Sequence, residues 1–348
     1  MCGIVGLHIL TKCNIDMTNN YSFFQLLIIL FKSSVNLFAL TTGFLYCKRN
    51  IHYKNIINII FIIAFYCIGF TVIFSFLKPN YFNNKIEYIK ALIPVIDGRY
   101  WYPVSYILLF FLIPFINVII NKLDKKDLEC MIKILFIFFC IITVFGFYDF
   151  FKIYNGYSPV WLIYLYILGA YIKLYSFPRI IKRGWLILIL ILIFNILIMF
   201  SSSVVMKLFT TKFIGHTVYE NFLIQYNSPF ILINSLIIFC LIYGVNYKKR
   251  KMEFFLEKIG KYAFEVYIIH AHYLIISYIL PKLSKIIIIN NNVILILISL
   301  IFEIIFVYVV CIIFGFFRLK LFNLFYIDTI IDKLGSWLDS IFLISEYD

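Results

Sequence analysis

Seven ionisable side chains stand in stretches that are otherwise apolar: His8, Lys32, Asp149, Glu265, His270, His272 and Glu303. An ionisable group surrounded by hydrocarbon costs a few kcal/mol, so such positions are the first candidates for chemistry. His8 lies in Val5-Gly6-Leu7-His8-Ile9-Leu10, with no charge beside it. A neutral imidazole near its unperturbed pKa can take a proton from a hydroxyl at physiological pH. The plainer alternative is a packing histidine bonded to a neighbouring backbone carbonyl. Lys32 and Asp149 sit close enough to expected helix ends to snorkel towards water.

His270 and His272 close the stretch Tyr262-Ala263-Phe264-Glu265-Val266-Tyr267-Ile268-Ile269-His270-Ala271-His272. On a continuous helix they diverge by about 200°, so at most one faces a given cavity. Tyr267 shares a face with His270, and Glu265 shares one with His272. Interhelical hydrogen bonding is the alternative role for either ring. A second group is the basic turn Cys47-Lys48-Arg49-Asn50-Ile51-His52-Tyr53-Lys54. Its guanidinium and ammonium groups suit a phosphate-bearing ligand. It follows Val35-Asn36-Leu37-Phe38-Ala39-Leu40-Thr41-Thr42-Gly43-Phe44-Leu45, an apolar run whose Asn, Thr and Gly residues suit a closely packed membrane helix. A third group is aromatic: Gly98-Arg99-Tyr100-Trp101-Tyr102-Pro103-Val104-Ser105-Tyr106. Such rings anchor at the headgroup belt or stack on sugar faces. Pro114-Phe115-Ile116-Asn117 then puts a kink and an amide within lipid, where the amide needs an internal partner.

The elements that position these groups follow from composition. Of 348 residues, 64% are hydrophobic and only 14% charged, and the mean hydropathy is +0.98. A water-facing shell cannot hide that much apolar surface, so the chain is expected to be a polytopic membrane protein, an all-α transmembrane bundle. The excess of 31 Lys and Arg over 17 Asp and Glu, a formal +14, lies mostly in short loops. There it orients the protein against anionic headgroups and speaks against nucleic-acid binding. Eight cysteines (Cys2, Cys13, Cys47, Cys67, Cys130, Cys140, Cys240, Cys311) are scattered singly, without the spacing of a metal site or disulfide framework.

Nine full spans are expected: Tyr21–Cys47, Asn55–Leu77, Trp101–Asn121, Met131–Phe147, Tyr157–Ile172, Gly184–Phe200, Ser228–Val245, Tyr262–Leu280 and Val293–Phe316. Met1–Leu10 is half that length. It is expected to be the outer part of a truncated first helix, or else a re-entrant segment. Residues 1–316 then form the transmembrane domain, and 317–348 a cytoplasmic tail amphipathic enough to lie along the interface. Alternate loops hold Lys48, Arg49 and Lys54; Lys122, Lys125 and Lys126; Lys173, Arg179, Lys182 and Arg183; Lys248, Lys249, Arg250, Lys251, Lys258 and Lys261; and Arg318 and Lys320, while the opposite set is poorer except for Lys78, Lys85, Lys90 and Arg99. By the positive-inside rule this richer set, and both termini with it, is cytoplasmic.

Taken together these pieces resemble the acyltransferase-3 family of membrane-bound O-acyltransferases that modify bacterial surface carbohydrates. The resemblance is carried by Leu7-His8, by Ser34–Phe38 with Thr42–Leu45, and by Gly98–Tyr102 with Tyr106 and Pro114–Asn117. Gly156-Tyr157-Ser158 with Leu168–Ile172, and Ile259-Gly260-Lys261 with Val266–His270, complete it. It implies a ten-helix plan and an enzyme of a bacterial cytoplasmic membrane. It implies acetyl-CoA as donor substrate, with no tightly bound cofactor or metal, and a hydroxyl of a cell-surface or lipid-linked carbohydrate as acceptor. It implies that His8 is essential, and that Arg49, Lys48 and Lys54 lie near the donor phosphates. Asn36, Thr42, Tyr100, Trp101, Tyr267 and His270 are candidates for contacting the acceptor or the oxyanion. The rival functions are a glycan transporter or flippase without chemistry, and an inactive, truncated family member.

Overall fold

The structure is a computed structural model and describes residues 1–12, 20–79, 85–146, 148–175, 184–214, 222–243, 250–288 and 292–342. Of the expected features, Cys13, Phe147, Arg179, Lys182, Arg183, Val245, Lys248, Lys249 and the last six residues of the tail lie outside the described residues.

Long apolar runs become helices because lipid offers backbone N–H and C=O groups no partner, so each run must satisfy them within itself. In chain order the helices are α1 (Cys2–Thr11), α2 (Tyr21–Tyr46), α3 (Lys54–Leu77), α4 (Ile86–Leu92), α5 (Trp101–Lys122), α6 (Lys125–Phe145), α7 (Pro159–Tyr175) and α8 (Trp185–Ile214). They continue with α9 (Pro229–Tyr243), α10 (Arg250–Gly260), α11 (Ala263–His270), α12 (Tyr273–Tyr278), α13 (Leu280–Ile288), α14 (Val293–Leu324) and α15 (Ile327–Phe342). Among the described residues seven helices are long and apolar enough to cross a membrane. The bent pair Leu256–His270 and Tyr273–Lys285, taken as one broken span, makes eight, and α7 and α1 are shorter apolar helices. The all-α bundle of the sequence reading is the observed fold.

Four expectations are corrected. The span expected over Tyr262–Leu280 is not one helix. It ends at His270 and restarts at Tyr273, with a bend of 62°. His272 has extended backbone there, and its ring caps α12 by accepting from Leu274 N at 3.3 Å. Second, α6 begins at Lys125 because the Asp124 carboxylate accepts from Asp127 N at 2.8 Å, and it carries a π-helical turn over Ile137–Ile142. Third, α8 and α14 run well past their expected ends, and Arg318 is no loop residue. It lies buried inside α14, paired with the buried carboxylate of Glu265, which offsets its charge. Fourth, Asp149 does not snorkel from a helix end. It lies in the connection between α6 and α7, where it accepts from Ile153 N at 2.9 Å and Tyr154 N at 2.6 Å.

The chain divides into two compact units, and one of the four boundaries between them falls inside α5. The first comprises residues 1–20, 51–110 and 247–348. In it α14 packs along α1, α11 and α13, and α3 packs against α4, α11 and α15. Gly315 lets α14 approach α11, since a Cβ there would crowd the Tyr262 ring and Glu265. The second unit comprises residues 21–50 and 111–246. Its centre is the crossing of α2 and α7. A Cβ on Gly43 would overlap the Tyr166 carbonyl, and one on Gly169 would overlap that of Leu40. Paired glycines of this kind allow backbones to meet where lipid leaves packing as the main adhesive.

Candidate functional site

In the first unit, α1 and α11 bring His8 and His270 together, with ring centroids 5.0 Å apart and planes tilted by 43°. His270 is 1% exposed. Its Nδ1 meets the carbonyl of Val266 one turn earlier, which requires the proton on Nδ1 and leaves Nε2 an acceptor. Neither His270 Nε2 nor His8 Nδ1 has a hydrogen-bond partner among the described residues. The packing role weighed for His8, a bond from its ring to a backbone carbonyl, is therefore taken by His270 instead. The pair thus sets two unused imidazole nitrogens, that of His270 an acceptor, in one cluster.

Aromatic side chains extend from this pair. Tyr267 stands perpendicular to His270 at 6.0 Å, because residues three apart share a helix face. Tyr267 in turn lies 6.4 Å from Tyr100 and 6.2 Å from Tyr102. Tyr102 stacks on Tyr106 at 6.4 Å, and Trp101 meets Tyr102 edge-on at 5.3 Å. The Tyr100 hydroxyl donates to the Ile268 carbonyl at 2.9 Å and ties the start of α5 to α11. Thus His8, His270, Tyr267, Tyr100 and Trp101 fall in one connected cluster. His272 belongs to its wall, against Phe70 at 5.0 Å and Tyr273 at 4.7 Å. Arg99 closes the loop end of this region, bonded to Asp97 at 2.7 Å and Glu87 at 3.0 Å, with its guanidinium 4.5 Å over the Tyr273 ring.

The basic candidates are divided between the units. Lys54 opens α3 in the first unit, and its ammonium pairs with Asp332 of α15. Beside it Asp339 accepts from Tyr53 N at 2.8 Å and meets His52 Nδ1 at 3.3 Å, while Gly335 packs on the Lys54 backbone. The expected interfacial tail is therefore docked, through α15, on the start of α3. Lys48 and Arg49 follow α2 in the second unit, both exposed and without an ion pair among the described residues. Lys173 of α7 joins them, with its ammonium 4.8 Å over the Phe44 ring near the end of α2. Sequence reading counted Lys173 only as a loop charge. The glycine pair of Gly43 and Gly169 was the available signal that α7 runs beside α2.

Asn36 and Thr42 also lie in the second unit, and their polar atoms are engaged there. Asn36 Nδ2 donates to the Tyr226 carbonyl at 2.9 Å, and its Oδ1 accepts from Trp161 Nε1 at 3.1 Å. The Thr42 hydroxyl donates to the Phe38 carbonyl at 2.8 Å. Asn117, the amide expected to need internal partners, donates to the Tyr46 carbonyl at 3.0 Å and accepts from the Tyr166 hydroxyl at 2.7 Å.

Comparison with curated proteins and with solved structures returned no match. Comparison with protein families returned the Acyl_transf_3 model, described as "Acyltransferase domain", over residues 1–323. That match takes in every helix from α1 to α13 and nearly all of α14. The chain belongs to the acyltransferase-3 family and carries its acyltransferase domain within a bundle of membrane-length helices.

Proposed function

We propose that this acyltransferase moves an acetyl group from acetyl-CoA to a hydroxyl of a cell-surface or lipid-linked carbohydrate. The observation that carries the reading is the pairing of His8 with His270 beside a cluster of tyrosines. His8 is the general base. It takes the proton of the acceptor hydroxyl as that oxygen attacks the thioester carbonyl. The tetrahedral adduct collapses, the C–S bond breaks, and the coenzyme thiolate leaves and takes up the proton from His8. His270, held by Val266, positions the His8 ring beside it, and the Tyr267 hydroxyl donates to the developing oxyanion. Tyr100, Trp101 and Tyr102 offer flat faces to a sugar ring. Arg49 and Lys48 hold the donor phosphates by charge-assisted hydrogen bonds, and Lys54, the third candidate, is paired with Asp332. Residues 1–316 form the catalytic domain in this reading. The protein sits in a bacterial cytoplasmic membrane with both termini inside and the basic loops facing the cytoplasm.

The test is mass spectrometry of surface glycans from cells with and without the gene. Loss of one acetyl per glycan repeat, with glycan export intact, is the expected result. Unchanged acetylation would refute it, and impaired export with normal acetylation would favour a transporter.

A further inference from the structure

Three buried polar side chains of the second unit play no part in the reading above: Ser33 of α2, Asn195 of α8 and Asn234 of α9. Ser33 and Asn234 are 0% exposed and Asn195 is 6% exposed. Ser33 Oγ, Asn195 Nδ2 and both amide atoms of Asn234 have no hydrogen-bond partner among the described residues. Each lies near the middle of its span, these being Tyr21–Tyr46, Trp185–Phe209 and Phe222–Tyr243.

Packing brings the three to one level. At one end of the α8–α9 contact, Leu188 lies with Ile237 and Cys240, supported by Leu192. At the other, Met199 lies with Ile231 and with Ile29 of α2. Positions 188, 192, 195 and 199 follow one another at helical spacing, so Asn195 sits on the stripe that faces α9. Asn234 falls between Ile231 and Ile237 in the same way. Ser33 is one turn beyond Ile29, and its carbonyl accepts from the Ser235 hydroxyl at 3.0 Å. Helical spacing thus sets two amides and a hydroxyl between the apolar clusters of Ile29, Met199 and Ile231 and of Leu188, Ile237 and Cys240, near the middle of three spans.

We infer that Ser33, Asn195 and Asn234 form a binding site for one or two internal water molecules. Polar atoms deep in lipid persist when something satisfies them, and a buried water typically bridges two to four such groups. The free valences here are mainly N–H and O–H donors, with Asn234 Oδ1 as acceptor. Water, which accepts and donates, complements that set. A metal cation does not, because α2, α8 and α9 contain no acidic residue. The bound water joins α8, whose side chains face largely outward, to α2 and α9.

The test uses the full chain, labelled with ¹⁵N-asparagine in lipid bilayers, and water-edited solid-state NMR. Magnetisation should pass from water to side-chain amides that disappear in Asn195→Gln and Asn234→Gln variants. Thermal unfolding should show Asn234→Leu melting a few degrees below wild type. Adding Asn195→Leu should then cost less than it does alone, because the shared water is already lost. Absence of water transfer, together with Asn234→Leu melting at or above wild type, would overturn the proposal and identify a dry, unpaired cluster. Should Asn234→Leu fail to reach the membrane, the NMR transfer in the wild-type protein decides the matter alone.

Discussion

His8 and His270 sit on separate helices, α1 and α11, with their rings 5.0 Å apart, and each keeps a nitrogen free of any partner among the described residues. The Val266 carbonyl fixes the tautomer of His270 and so the direction in which its Nε2 lone pair points. In the proposed reading His270 is a positioning residue for the His8 ring. Removing a general base costs about 10²–10⁴ in rate, so His8→Ala should lose nearly all transfer. His270→Gln should lose less than His270→Ala, since an amide retains an acceptor. Equal losses in the two His270 variants, measured as labelled acetyl transferred, would deny it that role.

The donor end separates by partner. Arg49 is exposed and without an ion pair among the described residues, while Lys54 is paired with Asp332. Arg49→Ala should raise KM for acetyl-CoA by about tenfold, the loss of roughly one charge-assisted bond. Lys54→Ala should change it less. Asp332→Asn, which frees the Lys54 ammonium, should lower KM or leave it unchanged. A rise in KM for Asp332→Asn would show instead that α15 holds the site in shape.

Glu265 and Arg318 form a buried pair between α11 and α14. Taking away one partner of such a pair costs about 3–5 kcal/mol, whereas replacing both by apolar residues is far milder. Thermal unfolding should therefore rank Glu265→Leu/Arg318→Met above either single variant. If the double variant is the least stable of the three, the pair is net stabilising and the ranking fails.

The α2–α7 crossing tolerates no side chain at Gly43 or Gly169, because each faces the other helix's backbone. Gly43→Val and Gly169→Val should each abolish a monodisperse, detergent-extractable protein, whereas Gly69→Val, where a Cβ meets nothing, should behave as wild type. Size-exclusion profiles of the three variants check this directly.

Much of this architecture was legible because lipid imposes a simple rule: apolar runs of membrane length are helices, and α2, α3 and α5 start and stop within a residue of the hydropathy boundary. The meeting of His8 with Tyr267 and His270 follows from tertiary packing, and spacing alone gave only the shared face of Tyr267 and His270. What sequence periodicity concealed is the break after His270. A capping histidine replaces the usual proline or glycine signal there, so a helical wheel drawn through His272 misplaces that ring. Arg318 was misread for a related reason, since a charge near a span's end reads as loop until its buried partner, Glu265, is known. The roles suggested for Asn36 and Thr42 rested on residue type, and their atoms turn out to be used in holding α2 to its neighbours and to itself.

The most direct measurement is acetyl transfer by the purified, bilayer-reconstituted protein from labelled acetyl-CoA to membrane glycan, for wild type and His8→Ala at equal membrane insertion. Transfer by wild type and none above background by His8→Ala is the predicted result. Equal transfer by both proteins would contradict the assignment of His8 as the general base.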